Sequence, residues 1–265
     1  MDSIPIGVLF AAVVIIIYVF IELGFKAGNT HSENSKKAKE KITSHNSAAI
    51  LGMLGFILVF TFGIVYNRYD SKKDLVREEA NVIRTTWLRS DFLEEKDQRE
   101  TVMLLKKYVD LRLDIVRLSD TKNVDTLLKE SRMIQSRVWE LAVINARKDM
   151  NSDIGAMYIE SLNEMFNIQA LRIAVGMQAR IPTVILVLLF TLIILGMFSV
   201  GYMVSVSESS RKSWLTPVMV LTFSLLISMI VALDRPNSII LPVPQQPLID
   251  VRAFMEESAK VPLLP

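Results

Sequence analysis

Phe56, Phe60, Gly63 and Asn67 recur at steps of four, three and four inside one apolar stretch. Those steps put them on a single face of a helix. Several copies of that face around an axis would form an apolar constriction opening into a polar mouth, the geometry of pores gated by dewetting. The same phenylalanines would also suit contact with lipid or a neighbouring span, and Gly52, Gly55 and Gly63 suit close helix packing. Asn67, Arg68 and Asp70 end this stretch, while Asp234 and Arg235 end another on the same side. Opposite charges at matched depth allow an Arg68–Asp234 or an Asp70–Arg235 pair fixing two helix ends, and equally suit interfacial anchoring.

Other chemistry is sparse. His31 and His45 are the only histidines, and with Glu33 they fall in a polar loop, where solvation is the simpler reading than metal ligation. The acid pairs Glu78–Glu79 and Glu94–Glu95 are read as solvated helix faces. No nucleophile elbow, phosphate-binding loop, zincin or kinase signature is present. The sequence therefore nominates no catalytic residue, no metal site and no cofactor, and it does not read as an enzyme. There is no cysteine, so disulfides and thiolate metal sites are excluded. A net charge of +2 without a basic-aromatic groove pattern argues against nucleic acid.

The elements that must position these residues are written in the segregation of the chain. It is 51% hydrophobic and yet 22% charged, and both hold only if the two classes are separated along it. Four apolar stretches, at roughly 6–25, 48–66, 181–204 and 214–233, are each long enough to cross the ~30 Å hydrocarbon core at about 1.5 Å per residue. The first is read as an uncleaved span, because no Lys or Arg precedes it and no small-residue cleavage site follows.

Four spans put the N-terminus, segment 67–180 and the tail on one side of the bilayer. Segment 67–180 holds twenty Lys/Arg and nineteen Asp/Glu and no proline. It reads as four helices divided near 90–95, 119–125 and 148–153, with Asp91, Asn123 and Ser152 as N-caps and Asp91 with Glu94 as a capping box. The apolar stripes are Val76, Ala80, Ile83 and Trp87; then Leu104, Tyr108, Leu111, Ile115 and Leu118; then Leu127, Ile134, Val138 and Leu141; then Ile154, Tyr158, Leu162, Met165 and Phe166. Short connections make neighbours antiparallel. The expected fold is all-α: four transmembrane helices with an extramembrane antiparallel four-helix bundle inserted between the second and third spans.

Four regions follow: 1–66 with two spans and the Lys-rich loop 26–47, the bundle 67–180, the third and fourth spans in 181–233, and the tail 234–265. No break separates the second span from the first bundle helix, and the fourth bundle helix is expected to run on to the third span, with Pro182 as kink or restart. In the tail, Pro236, Pro242, Pro244 and Pro247 favour an extended path. A short helix then carries Leu248, Val251 and Met255 on one face with Phe254 beside them, lying at the membrane surface or against the bundle. Lys26, Lys36, Lys37, Lys39 and Lys41 set loop 26–47 in the cytoplasm, which places the bundle outside or in the periplasm. Arg68, Lys72, Lys73 and Arg77 pull the other way.

Three stretches carry a resemblance: FTFGIVYNRYDSKKDLVREEANVIRTTWLR, the YVDLRL at 108–113, and LDRPNSIILPVPQQPLIDVR. Together, through Tyr69, Asp70, Glu78, Glu79, Ala80, Asn81, Trp87, Leu88 and Arg89 and then Asp234, Arg235, Pro236, Gln246, Pro247 and Leu248, they resemble the bestrophin-like family of bacterial four-span membrane proteins. The resemblance implies kinship with bestrophins, pentameric anion channels whose second helix lines an apolar neck, with Phe56 and Phe60 as counterparts by position. It also implies a bacterial inner membrane and a helical domain in the cytoplasm, opposite to the charge-based reading. This chain has no acidic calcium-clasp cluster and no close match to the bestrophin neck sequence.

The combined expectation is a homo-oligomeric ion channel passing small anions, with the bilayer and copies of itself as partners. The alternative is a non-conducting membrane sensor or scaffold whose bundle binds a ligand or partner protein.

Overall fold

The computed structural model describes residues 5–29, 36–117, 121–178, 180–206, 215–235 and 241–260. Leu118, His31, Glu33 and Pro236 lie outside the described residues. Among those described there are eight α-helices and no strand: α1 (Ile6–Asn29), α2 (Lys36–Arg89), α3 (Glu95–Arg117), α4 (Thr121–Ala146), α5 (Asp153–Ile173), α6 (Thr183–Val206), α7 (Leu215–Asp234) and α8 (Gln246–Ser258). Four of them, α1, α2, α6 and α7, are long and apolar enough to cross a membrane.

The chain divides into two compact units, the first comprising residues 1–69 and 180–241, the second 70–179 and 242–265. Helix α2 contributes to both. Its 54 residues span about 80 Å at the usual rise. Nothing between Gly63 and Arg89 removes a backbone donor or relaxes φ, so the ladder has no reason to stop.

In the first unit, α1 packs on α6 and α7. The α1–α6 crossing is made by absent side chains: a Cβ on Gly24 would strike the backbone of Phe198 and Tyr202, and one on Gly201 would strike Ile21 and Phe25. Without a hydrophobic driving force inside the bilayer, such close backbone approach supplies the van der Waals gain that holds helices together. Gly52, Gly55 and Gly63 do not serve this purpose within the chain, since the space beside each is open. Around this crossing Val13, Ile17, Leu54, Leu58, Leu189, Ile193 and Ile227 form the apolar core.

The second unit gathers the later part of α2 with α3, α4, α5 and α8 around one apolar core. Val76, Ala80, Ile83 and Trp87 of α2 are all buried in it. On α3 the buried line runs Gln98, Thr101, Leu105, Tyr108 and Arg112, whereas Leu104 and Ile115 are only half-buried. The expected stripe is thus rotated toward polar residues, of which Gln98, Tyr108 and Arg112 find side-chain partners inside. Ile154 is exposed and Leu127 half-buried, also away from the expected stripes. Ser152 caps α5, its Oγ accepting from Gly155 N at 3.2 Å. Asp91 instead lies in a 3₁₀ turn, Ser90–Phe92, and accepts from Gln98 Nε2; α3 starts only at Glu95, so there is no Asp91–Glu94 capping box. Asn123 falls inside α4.

Of the two outcomes expected at Pro182, kink or restart, the structure shows the restart: α5 ends at Ile173, a π turn, Ala174–Gln178, continues the winding, and the helix is then broken. Helix α6 starts afresh at Thr183. Pro182 explains the restart, because it cannot donate and disfavours helical backbone before it, while its carbonyl accepts from Ile185 N at 2.9 Å. Helix α8 places Leu248, Val251 and Met255 in the second unit's core. It is held there by an Arg252–Asp110 ion pair to α3 and by the Arg84 guanidinium 4.5 Å above the Phe254 ring.

Candidate functional site

Within the first unit, α2 buries Leu54, Leu58, Thr61 and Val65 against its own chain. That line leaves the opposite side uncovered. Phe56 is 70% and Phe60 54% exposed; Asn67 is exposed and Gly63 half-buried. The four residues share one face of α2, and on it Phe56 and Phe60 stay exposed among the described residues. Two large aromatic rings in that position are a surface for another molecule, whether lipid or a further copy. Beside this face lies an apolar groove between α2 and α6, lined by Gly52, Met53, Phe56, Ile57, Leu188 and Leu192.

At the end of the spans the charges meet. Arg68 Nη1 donates to Asp234 Oδ1 at 2.8 Å, and its Nη2 donates to the Arg180 carbonyl at 3.2 Å. The same Oδ1 accepts from Ile181 N at 3.0 Å, and Arg180 Nη1 donates to the Asp234 carbonyl at 2.9 Å. One carboxylate thus ties the α2 span, the strand of chain entering α6 and the last turn of α7. Of the two pairings open to the four charges, the structure forms Arg68 with Asp234. Asp70 instead takes Lys73 Nζ at 2.9 Å, one turn along its own helix, and Arg235 is buried. Arg180 was not singled out from the sequence; its place two residues before a proline at a span's edge was the available signal.

The second unit holds a polar cluster that overturns one sequence expectation. Glu79, read as part of a solvated acid pair, is wholly buried. Its Oε1 accepts from Arg112 Nε at 2.8 Å and from the Tyr108 hydroxyl at 3.1 Å, while Oε2 accepts from Arg172 Nη1. Tyr108 also reaches Gln169 Oε1, whose amide accepts from Gln135 and donates to Ser131 Oγ at 3.0 Å. Arg172 Nη2 donates to Gln245 Oε1 just before α8. The network joins α2, α3, α4, α5 and the lead into α8. Burial pushes the Glu79 carboxyl toward its neutral form, but the guanidinium groups of Arg112 and Arg172 outweigh it and hold the group below the usual carboxylate range. Burial, with the adjacent Glu79 charge, pushes the Tyr108 phenol well up. The missed signal was positional: Glu79 sits three residues after Val76 and four before Ile83, inside the apolar stripe. Glu94 and Glu95, by contrast, are exposed.

Among the described residues no group of three His, Asp or Glu side chains comes together to hold a metal ion. The site's chemistry is that of an apolar face, a charged clasp at its end, and a separate buried ionic network.

A family model described as the Bestrophin-like domain matches residues 8–238. No curated protein matches the chain. Among solved structures, the crystal structure of a membrane protein superposes with a TM-score of 0.67 at 13% identity, covering 97% of this chain and 99% of the other. A bacterial bestrophin homologue from Klebsiella pneumoniae, crystallised as a point mutant, gives a TM-score of 0.66 at 13% identity with the same coverage. A second point mutant from that organism, also described as a bacterial bestrophin homologue, gives 0.62 at 14% identity. At these identities the likeness is one of fold.

Proposed function

The chain belongs to the Bestrophin-like family, and from that premise we propose that this membrane protein forms a homo-oligomeric channel for small anions. In this reading the second spans surround the axis. Phe56 and Phe60 make the apolar constriction, with Gly63 and Asn67 toward the mouth. The second unit stands outside the bilayer as an antiparallel helical bundle between the second and third spans. The observation that carries the reading is the uncovered Phe56–Phe60 face on a helix whose opposite side is fully packed. A narrow apolar passage excludes water and ions until it widens, so the ring size at this face would set the barrier. Anions are favoured over cations because the cations Arg68, Arg180 and Arg235 outnumber the carboxylates Asp70 and Asp234 at the span ends.

Purified protein in liposomes should pass chloride, and Phe60→Ala should raise that flux by opening the constriction. A correctly folded preparation that passes no chloride, or a Phe60→Ala protein with unaltered flux, counts against the assignment. In topology, Lys26, Lys36, Lys37, Lys39 and Lys41 between the first two spans favour the bundle on the outer side, whereas kinship with bestrophins favours the cytoplasm.

A further inference from the structure

The buried network of the second unit holds more positive charge than negative. Glu79 supplies one carboxylate, and it takes two guanidinium groups, Arg112 from α3 and Arg172 from α5. Neither arginine pairs with a second acid among the described residues. The remaining members, Tyr108, Gln169, Gln135, Ser131 and Gln245, are neutral. One cation is therefore in excess inside a packed core, where an unbalanced charge is costly.

Arg112 shows where the excess falls. It is 3% exposed, and its Nε donates to Glu79 Oε1 at 2.8 Å. Its Nη1 is buried and has no hydrogen-bond partner among the described residues. The guanidinium is a rigid planar fork, and Nη1 stands on the edge away from the Nε–H, so it points away from the carboxylate that Nε engages. A buried charged donor left without an acceptor carries its full desolvation cost. Arg172 registers the same imbalance: burial lowers its pKa most, Glu79 offsets this only in part, and the Arg112 charge lowers it further. Arg172 is 10% exposed, and Gln135 and Gln245 beside the network are half-buried. That side of the cluster gives a small ion a way in.

We propose that the second unit binds one monatomic anion, a halide of about chloride's size, at Arg112 Nη1. The ion accepts from Nη1, and its charge balances the guanidinium that Glu79 alone leaves in excess. A water would accept the hydrogen bond but leave the charge unbalanced. A polyatomic oxyanion needs several donors at once, whereas the network leaves a single buried donor unpartnered. The site belongs to the second unit and the Phe56–Phe60 face to the first, so it does not rest on the channel reading.

The test uses the full-length protein in detergent at constant ionic strength, with gluconate replaced by chloride or bromide. The wild type's melting temperature should rise along a saturating curve, by about 3–6 °C at about ten times the dissociation constant. Crystals grown in bromide should show an anomalous peak beside Arg112 Nη1. Arg112→Met leaves Glu79 its Arg172 partner and should remove the halide dependence. Arg172→Met keeps the Nη1 donor but removes the excess charge, and should raise the halide midpoint about tenfold. Four results would each overturn the proposal: no halide-specific rise in the wild type, an equal rise in Arg112→Met, an unaltered midpoint in Arg172→Met, or bromide crystals with no peak at Arg112. The crystal measurement needs only the wild type, so it decides the matter even where a variant does not fold. Flux plays no part in these readings, so a protein that passes no chloride can still hold it.

Discussion

Glu79 shows how a single residue can be misread when its type is weighed above its place. A glutamate beside another glutamate suggests a solvated face, yet the helical step from Val76 to Ile83 passes through it. Once buried, it needs both Arg112 and Arg172, because a lone carboxylate in an apolar interior costs several kcal/mol. Glu79→Gln keeps the shape but leaves two guanidinium groups without a counter-charge. It should destabilise the second unit by about 3–5 kcal/mol, measured as a lower urea midpoint in the fluorescence of Trp87 and Trp139. An unchanged midpoint would show that the network contributes nothing net. The pH dependence has a definite sign. Because the folded carboxyl titrates below its unfolded value of 4.5, its contribution is complete above that pH. It is lost only as pH falls below 4.5 through the lowered value. In Glu79→Gln, this part of the acid sensitivity should disappear.

At the scale of elements, the two helices entering and leaving the second unit differ for a local reason. Helix α2 passes from span to charged segment without a break because no residue interrupts its ladder. The winding of α5 and its π turn is broken before α6 because Pro182 cannot sit inside a continuous helix. A proline placed at Ser71 should reproduce in α2 what Pro182 does naturally, costing about 3 kcal/mol. The α1–α6 crossing is governed by steric exclusion. Gly24→Leu or Gly201→Leu must push backbone from backbone and should lower the melting temperature of the detergent-solubilised protein sharply. Gly63→Leu, facing open space within the chain, should leave the isolated chain's packing intact. If Gly24→Leu melts as the wild type does, the crossing is not the first unit's main contact.

For the whole molecule, the absence of native cysteine makes the side on which the second unit stands measurable. Asp149, exposed in the turn between α4 and α5, can be replaced by cysteine and challenged with an impermeant thiol reagent. Labelling of intact cells means that the lysines between the first two spans set the orientation. Labelling only after permeabilisation means that the bestrophin arrangement holds.

The sequence by itself determined the four apolar helices, the unbroken α2, the Ser152 cap and the existence of α8. All of these depend on local composition, periodicity or the backbone chemistry of one residue. It also placed Phe56, Phe60, Gly63 and Asn67 on one face, because helical spacing is a property of the chain alone. Only the tertiary structure decided that Gly24 and Gly201, rather than Gly52 or Gly55, make the tight crossing. It alone decided that Asp234 gathers Arg68 and Arg180, and that Glu79 is inside. Each of those outcomes depends on which distant segments meet. A glycine or a charge has no fixed role until its neighbour supplies the backbone to approach or the partner that repays desolvation.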